Sequence, residues 1–254
     1  FLAGIKTRTG FARDGRGIFL NNKLYAEKKS AFKYKPLSAI DYYLKIAAYL
    51  GGEISSRKTE LAADEGDKKL VMEKFGIAVN RSRPLVILVP GGAFGPSKQW
   101  PEENFAKTAD FLAERFSANV LVSVSPAQEE IAIADKICSL AKSKIENLGK
   151  NPLSLGQLKA LFSFANLVIT NDTGPRHIAI AFNRKVITLF GPNNPAWTAN
   201  DYPDEIKIVG QAPCAPCDKP ICRQDKHYCM DLITTEMVCQ AAEKILRTPI
   251  DTEL

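Results

Sequence analysis

The chain has 254 residues, a formal net charge of +6, and glycine and proline contents close to average. Hydrophobic residues make up 45% and charged residues 24%, which excludes collagen-like, low-complexity and disulfide-scaffold proteins. No apolar run approaches the ~20 residues of a membrane span, and the start lacks the pattern of an export signal. The length suits one large domain or two small ones. Because no Met precedes Phe1, we expect the natural chain to begin earlier.

Positive charge is concentrated near the start of the chain. Residues 1–36 contain nine Lys or Arg but only two acidic residues, Asp14 and Glu27. Such a stretch favours an anionic partner, or it is simply a solvated basic surface. The remainder is close to neutral, which argues against nucleic acid as the main ligand.

Residues 1–80 show only part of a domain. Residues 41–50 have apolar positions at helical spacing and stop at Gly51 and Gly52, which favour a helix end. Only one or two strand candidates precede this helix, too few for a complete α/β domain. We therefore predict that residues 1–80 are the C-terminal part of one domain, that residues 81–254 form a second domain, and that the hinge lies near residues 79–84.

Beyond residue 84, short apolar runs alternate with helix-periodic segments. Strands are predicted at residues 85–89, 119–124, 167–170 and 186–190. Helices are predicted to begin at Pro101, at about Glu129, at the capping box of Ser154 and Gln157, and at about Thr173. Strands that recur between helices predict a parallel, doubly wound α/β sheet.

The turn after the first of these strands, at residues 90–101, is rich in glycine and contains one lysine just before a helix. Turns that follow parallel strands direct backbone N–H groups to one edge of the sheet, where ligands bind. Gly91 and Gly92 would allow a close approach of the backbone to a ligand. Lys98 is either a point charge for a phosphate or an ordinary exposed lysine.

Two later turns reach the same edge. Thr173 and Gly174 would offer N–H groups at a helix start, with Asp172 and His177 beside them. Alternatively, Asp172 only caps the helix and His177 is a packed, satisfied histidine. The turn at residues 190–195, which includes Gly191 and Pro192, either borders a ligand or simply reverses the chain.

Four segments, in this order, resemble the lipopolysaccharide heptosyltransferases, family nine of the glycosyltransferases. They are AGIKTRTGFARDGRG (residues 3–17), PGGAFGPSKQWP (90–101), NDTGPRHIAIA (171–181) and FGPNNP (190–195). The resemblance implies the α/β GT-B architecture of two Rossmann-like domains, the first one incomplete in this chain. It makes residues 1–80 part of an acceptor-binding domain and residues 81–254 a nucleotide-sugar donor-binding domain.

The resemblance also implies roles for individual residues. The catalytic pair would be Lys98, which contacts the donor phosphates, and Asp172, which lies by the sugar and pyrophosphate. Ser125 stands where the family often has glycine, and Arg176 replaces a more usual apolar residue. The acceptor-activating carboxylate is expected ahead of Phe1. The substrate-binding residues would be Gly91, Gly92, Ser97, Glu129 (at the ribose), Thr173, Gly174, His177, Gly191 and Pro192.

The implied activity is the inverting transfer of L-glycero-D-manno-heptose from ADP-heptose to the lipid A inner core of lipopolysaccharide. No metal cofactor is expected, because cationic side chains and helix dipoles stabilise the departing diphosphate in such enzymes. The basic start would face the phosphorylated acceptor, which implies a cytoplasmic protein peripheral on the cytoplasmic face of the inner membrane. The alternatives are another nucleotide-sugar GT-B glycosyltransferase and a non-catalytic donor-binding fragment.

Cysteines cluster near the end of the chain. Four lie within sixteen positions, while Cys138 and Cys239 stand apart in predicted helices. The spacing can hold a structural zinc, and free thiols or an iron–sulfur cluster are the alternatives. Disulfides are disfavoured in a chain without an export signal. The clustered residues are Cys214, Cys217, Cys222 and Cys229.

Overall fold

The structure is a computed structural model that describes residues 4–30, 33–77, 83–92, 94–151 and 153–247. The chain divides into two compact units. The smaller comprises Phe1–Lys58 and Asn194–Asp201, and the larger comprises Thr59–Asn193 and Tyr202–Leu254. Within the described ranges, no helix has both the length and the apolar character needed to cross a membrane.

The smaller unit contains two short strand pairs and one helix. Strands β1 (Thr9–Phe11) and β2 (Asn22–Leu24) are parallel, and β3 (Lys28–Ser30) and β4 (Lys33–Tyr34) are antiparallel. Helix α1 (Ala39–Tyr49) confirms the helix predicted at residues 41–50. It begins two residues earlier because the Ser38 hydroxyl accepts the N–H of Asp41 at 3.1 Å and caps the helix.

The larger unit is built on a six-stranded sheet in which every neighbouring pair is parallel, as predicted. The order across the sheet is β7-β6-β5-β8-β9-β10, the 3-2-1-4-5-6 order of doubly wound nucleotide-binding folds. Strands β7 and β10 were not predicted, since β7 has only two residues and β10 includes charged ones. The strands are β5 (Leu85–Val89), β6 (Asn119–Val122), β7 (Glu146–Asn147), β8 (Leu167–Asn171), β9 (Lys185–Phe190) and β10 (Glu205–Val209).

Helices cover both faces of this sheet, and the core accordingly has two layers. Along β5, Val86 and Leu88 pack into one layer, and the alternate residues pack into the other. The first layer receives α3, α4 and α8, and the second receives α2, α5 and α6. The helices of this unit are α2 (Glu65–Phe75), α3 (Glu102–Phe116), α4 (Gln128–Leu140), α5 (Leu155–Phe164), α6 (Gly174–Ala181), α7 (Tyr228–Asp231) and α8 (Thr235–Arg247).

Helix α2 belongs to the larger unit. Its Val71 is buried in the second core layer, and the unit begins at Thr59. The boundary between the compact units at Thr59 therefore differs from the domain boundary predicted after residue 80. The helix carries few apolar residues, so its sequence alone does not reveal which sheet covers it. Residues 78–82, part of the predicted hinge, lie outside the described residues.

The strand order creates a switch point between β5 and β8. From β5 the chain proceeds to β6 and β7, then returns to the other side of β5 and continues through β8, β9 and β10. The connections leave β5 and β8 in opposite directions, so a crevice opens at their carboxyl ends, where ligands bind in such folds. The loops that begin at Pro90 and Asp172 border this crevice.

The predicted capping box at the start of α5 is present. The Ser154 hydroxyl accepts the Gln157 N–H at 3.1 Å, and the Gln157 side chain accepts the Ser154 N–H at 3.2 Å. We expect Ser154→Ala to lower the free energy of unfolding by about 1 kcal/mol in urea titrations. Ser139→Ala, which removes an exposed hydroxyl bonded within α4, is the control. Equal losses in both variants would contradict a stabilising cap.

Candidate functional site

Lys98 bridges the two loops at the switch point. It ends a short 3₁₀ turn before α3, and its Nζ donates to the main-chain oxygen of Asp172 at 2.6 Å and to Asp172 Oδ2 at 3.2 Å. Nζ also lies 4.6 Å from the centre of the Phe94 ring, within reach of a cation–π interaction. Lys98 and Asp172 are only 8% and 6% exposed. The alternative that Lys98 is an ordinary exposed lysine is therefore wrong.

Asp172 has a second cationic partner, Arg176. Arg176 Nη1 donates to Asp172 Oδ1 at 3.0 Å, so each carboxylate oxygen contacts a different cation. Arg176 is completely buried, and its Nε and Nη2 donate to the two oxygens of Glu205 at 2.5 and 3.0 Å. The Asp172 carboxylate therefore pairs with two cations at the crevice, and the N-cap position of α6 is occupied by Thr173 without a side-chain capping bond.

Glu205, at the start of β10, is the residue that the sequence reasoning missed most clearly. Burial alone raises its pKa, but hydrogen bonds and charge from Arg176, the hydroxyl of Thr188 at 2.6 Å and the charge of Lys207 together hold the pKa below its usual value. Glu205 is therefore ionised at neutral pH although its side chain is fully buried. The only signal in the sequence is one acidic residue at the start of an apolar run.

The N-terminus of α6 faces open space. Thr173 precedes the helix, Gly174 is its first residue, and a Cβ built on Gly174 would meet no atom within 4 Å. The first turn itself contains no acidic residue, and the Asp172 carboxylate that precedes it is paired with Lys98 and Arg176. This arrangement suits an anion.

His177 lies in the second turn of α6 and is partly buried. Burial lowers its pKa, and the nearby Arg176 charge lowers it further, although Asp172 and Glu205 partly oppose these effects. The imidazole is therefore neutral at pH 7, with one nitrogen as donor and the other as acceptor. Such a ring offers an anion a single hydrogen bond and no charge.

The two glycines of the first loop lie close to side chains of neighbouring segments. A side chain on Gly91 would overlap the Glu130 carboxylate, and one on Gly92 would overlap the side chain of Thr173. Glu130 accepts the N–H groups of Gly92 at 3.1 Å and Ser125 at 2.8 Å, and so connects the loops after β5 and β6. The sequence reasoning chose its neighbour Glu129, which is exposed. Two adjacent glutamates at a helix start cannot be told apart by pattern, and the ribose role of Glu129 stays a prediction.

Three other candidate residues contact the segment 210–229, here called the cysteine loop. Ser97 donates through Oγ to the Lys219 carbonyl at 2.6 Å, and the Pro192 carbonyl accepts the N–H of Cys217 at 2.9 Å. A side chain on Gly191 would come within 3.1 Å of the Cys229 Sγ and would overlap Met230, the residue that follows the loop. The cysteine loop therefore packs on two of the three turns at this edge. The roles of Ser97, Gly191 and Pro192 in substrate binding stay predictions.

The cysteine loop shows no metal centre. All six cysteines are free, and in the part of the chain that the structure describes no three His, Cys, Asp or Glu side chains are placed to hold a metal ion. Burial raises the pKa of Cys229, and the nearby Cys214 and Cys217 raise it further. The structure therefore does not support the expectation of a structural zinc on Cys214, Cys217, Cys222 and Cys229. Cys138 and Cys239 lie in helices, as predicted.

Two buried amide oxygens lie in segments that end at this edge. Asn171 closes β8 and donates through Nδ2 to the Pro90 carbonyl at 2.7 Å, while its Oδ1 meets no donor among the described residues. The same is true of Oδ1 of Asn193, which follows β9. Buried acceptors in folded proteins are nearly always satisfied by protein, water or ligand. Both amides are therefore candidates to accept a hydrogen bond from a ligand.

The sheet order and the position of Lys98 at the switch point define an α/β protein of the doubly wound class, in which ligands bind at this edge of the sheet. The model of glycosyltransferase family 9 (heptosyltransferase) matches residues 1–228, and the chain belongs to this family. It is 30% identical over 216 residues to lipooligosaccharide heptosyltransferase 2 of Haemophilus influenzae, which covers 78% of this chain and 58% of that protein. It is 31% identical over 201 residues to the lipopolysaccharide core heptosyltransferase OpsX of the same species, covering 76% and 53%.

The fold agrees with a solved relative. The structure of ADP-heptose LPS heptosyltransferase II of Escherichia coli superposes with a TM-score of 0.74 at 24% identity, covering 96% of this chain and 71% of that one. This likeness confirms the predicted α/β GT-B fold class over the part that this chain spans. The chain spans about half the length of the curated relatives it matches.

The Glu130 contacts can be tested against the neighbouring glutamate. We expect Glu130→Ala to lower the free energy of unfolding by about 1–3 kcal/mol, because the N–H groups of Gly92 and Ser125 lose their acceptor. Glu129→Ala, at an exposed position, should change it by less than about 0.5 kcal/mol. Urea titration measures both. A loss in Glu129→Ala as large as that in Glu130→Ala would show that Glu130 does not connect the loops.

Proposed function

We propose that this chain carries the donor site of an inverting glycosyltransferase that transfers L-glycero-D-manno-heptose from ADP-heptose to the inner core of lipopolysaccharide. The observation that carries the proposal is the Lys98–Asp172 contact at the switch point, next to the open N-terminus of α6, in a chain of glycosyltransferase family 9. Two relatives that bear heptosyltransferase names support the choice of sugar.

In this proposal, the donor diphosphate lies against Thr173 and Gly174. Lys98 turns from Asp172 to the phosphates, and His177 donates one hydrogen bond as a neutral imidazole. The lysine charge and the helix dipole then stabilise the negative charge that develops on the departing diphosphate. These groups supply the positive charge themselves, so the proposed reaction needs no divalent metal and no other cofactor.

Asp172 is proposed to accept hydrogen bonds from hydroxyls of the donor sugar. Its carboxylate is fixed between two cations and is almost completely buried, which limits it to a ligand that reaches into the crevice. Glu129 is proposed to meet the ribose, and Gly191 and Pro192 to border the nucleotide. A structural zinc in the cysteine loop stays a prediction from spacing alone.

The acceptor is proposed to be the lipid A inner core, which is phosphorylated. In the smaller unit, the strand β3 is fully exposed and includes Lys28 and Lys29, and the exposed Ile18 and Phe19 follow Arg16. Exposed basic and apolar groups within one unit suit an anionic membrane surface. We therefore propose a cytoplasmic location, peripheral on the cytoplasmic face of the inner membrane, and no nucleic-acid partner.

The phosphate role of Lys98 predicts a loss of ADP binding. Lys98→Ala should weaken ADP binding in calorimetric titrations by about 1–3 kcal/mol, the scale of a charge-assisted hydrogen bond. The variant should still fold, because Asp172 keeps Arg176 as a partner. Lys107→Ala, at an exposed position of α3, is the matched control. Unchanged ADP affinity in Lys98→Ala would show that Lys98 does not contact the phosphates.

The choice of donor predicts selectivity without metal. ADP-heptose should bind more tightly than ADP-glucose, UDP-glucose or ADP, and EDTA should leave its affinity unchanged because no metal bridges the phosphates. Competition titrations with the 254-residue chain measure these affinities. Tighter binding of another nucleotide sugar would favour the alternative glycosyltransferase. Binding of ADP with no gain from any sugar would favour a non-catalytic nucleotide-binding fragment.

A further inference from the structure

A row of alternating charges runs from the switch point to the edge strand. Lys98 contacts Asp172, Asp172 contacts Arg176, Arg176 contacts Glu205, and Glu205 contacts Lys207 at 3.4 Å. The three middle side chains are 5% exposed or less. Family membership and the proposed roles explain Lys98 and Asp172, but they give no role to Arg176 or Glu205.

A contribution to folding stability does not by itself explain the buried ion pair of Arg176 and Glu205. Removing two charges from water costs several kcal/mol per ion, and apolar residues of similar volume are often as stabilising or more so. Arg176 is completely buried, and an apolar residue at this position would need no compensating charge. The charges therefore point to a function in the crevice.

The two cations of Asp172 differ in their freedom to move. Lys98 reaches Asp172 from a turn, by a flexible side chain with a single donor group. Arg176 donates hydrogen bonds from two nitrogens to Glu205, which also accepts one from the Thr188 hydroxyl. The Arg176 guanidinium lies 5.1 Å from the centre of the Phe190 ring. Lys98 has both of its hydrogen bonds to Asp172 and one ring contact with Phe94, whereas Arg176 is also held in place by Glu205.

We propose that Arg176, fixed by Glu205, is the permanent counter-ion of Asp172 and thereby allows Lys98 to leave for the donor diphosphate. This inference rests on the proposed function. When Lys98 turns to the phosphates, the buried carboxylate keeps one cation and does not face the arriving anion uncompensated. Glu205 in turn neutralises Arg176 and prevents the guanidinium from following the phosphates. Arg176 and Glu205 are thus positioning residues that act through Asp172.

The test removes both buried charges together, so that neither is left unpaired. In Arg176→Met/Glu205→Gln, Asp172 loses its Arg176 partner, and Lys98 should be held by the carboxylate. ADP affinity should then fall about tenfold, within the range of coupling in one charge network. Adding Asp172→Asn should restore most of this affinity, because Lys98 no longer has a carboxylate to hold it. A merely structural role of the pair would not be rescued by that third change.

Two further variants complete the design. Arg176→Lys keeps the cation and should retain ADP affinity within about threefold, whereas Arg115→Lys, on the surface beside Glu243, is the control for an Arg-to-Lys change. Thermal unfolding of every variant separates loss of fold from loss of binding, and Arg176→Lys carries the test if the paired variant does not fold. In that case, a tenfold or greater loss in Arg176→Lys that Asp172→Asn does not relieve would overturn the inference.

The outcomes distinguish this inference from the proposed function. If the unchanged chain does not bind ADP, the proposed function fails and this inference fails with it. If the unchanged chain binds ADP but Arg176→Met/Glu205→Gln binds it equally well, only the counter-ion role of Arg176 is overturned. The same holds if the affinity falls and Asp172→Asn does not restore it. A tenfold loss with rescue supports both.

Discussion

The contact between Lys98 and Asp172 is the interaction on which the candidate site depends. It connects the loop after β5 with the loop after β8, the two strands between which the order of the sheet reverses. Both strands are buried along their whole length, so their carboxyl ends are fixed in position. The distance between these two ends sets the distance between the loops that follow them. A lysine and a carboxylate therefore meet beside an open helix N-terminus without a dedicated binding domain.

Buried charge sets the chemistry of this edge. Asp172, Arg176 and Glu205 are ionic groups removed from water, and each is stable there only because its neighbours carry the opposite sign. Burial and the Arg176 charge lower the pKa of His177, although Asp172 and Glu205 partly oppose them, and a neutral imidazole remains at the second turn of α6. In the proposed donor complex, a ligand anion would meet the Lys98 ammonium, a helix dipole and an uncharged donor, while the guanidinium is already paired with Glu205.

Local patterns predicted most of the elements of the larger unit. The run of apolar residues at 85–89, the capping box of Ser154 and the proline at the start of α3 each depend on residues close together in sequence, and all three are present. Patterns did not separate Glu130 from Glu129, because the choice depends on where the Gly92 N–H lies. The sequence analysis placed α2 in the first domain, whereas the structure places it in the larger unit, since a weakly apolar helix does not specify the sheet that it covers.

The amino-acid sequence by itself determined the parallel α/β class, the three turns at one edge of the sheet, and Lys98 and Asp172 as candidate residues. These follow from the spacing of apolar residues, glycines and caps, which acts over a few positions. Only the tertiary structure decided the partners: Arg176 with Glu205, Glu130 with Gly92, and the cysteine loop with Ser97 and Pro192. Such pairs join residues from different strands and loops. Burial and charge determine which of these residues pair, but only after the sheet has brought their strands and loops together.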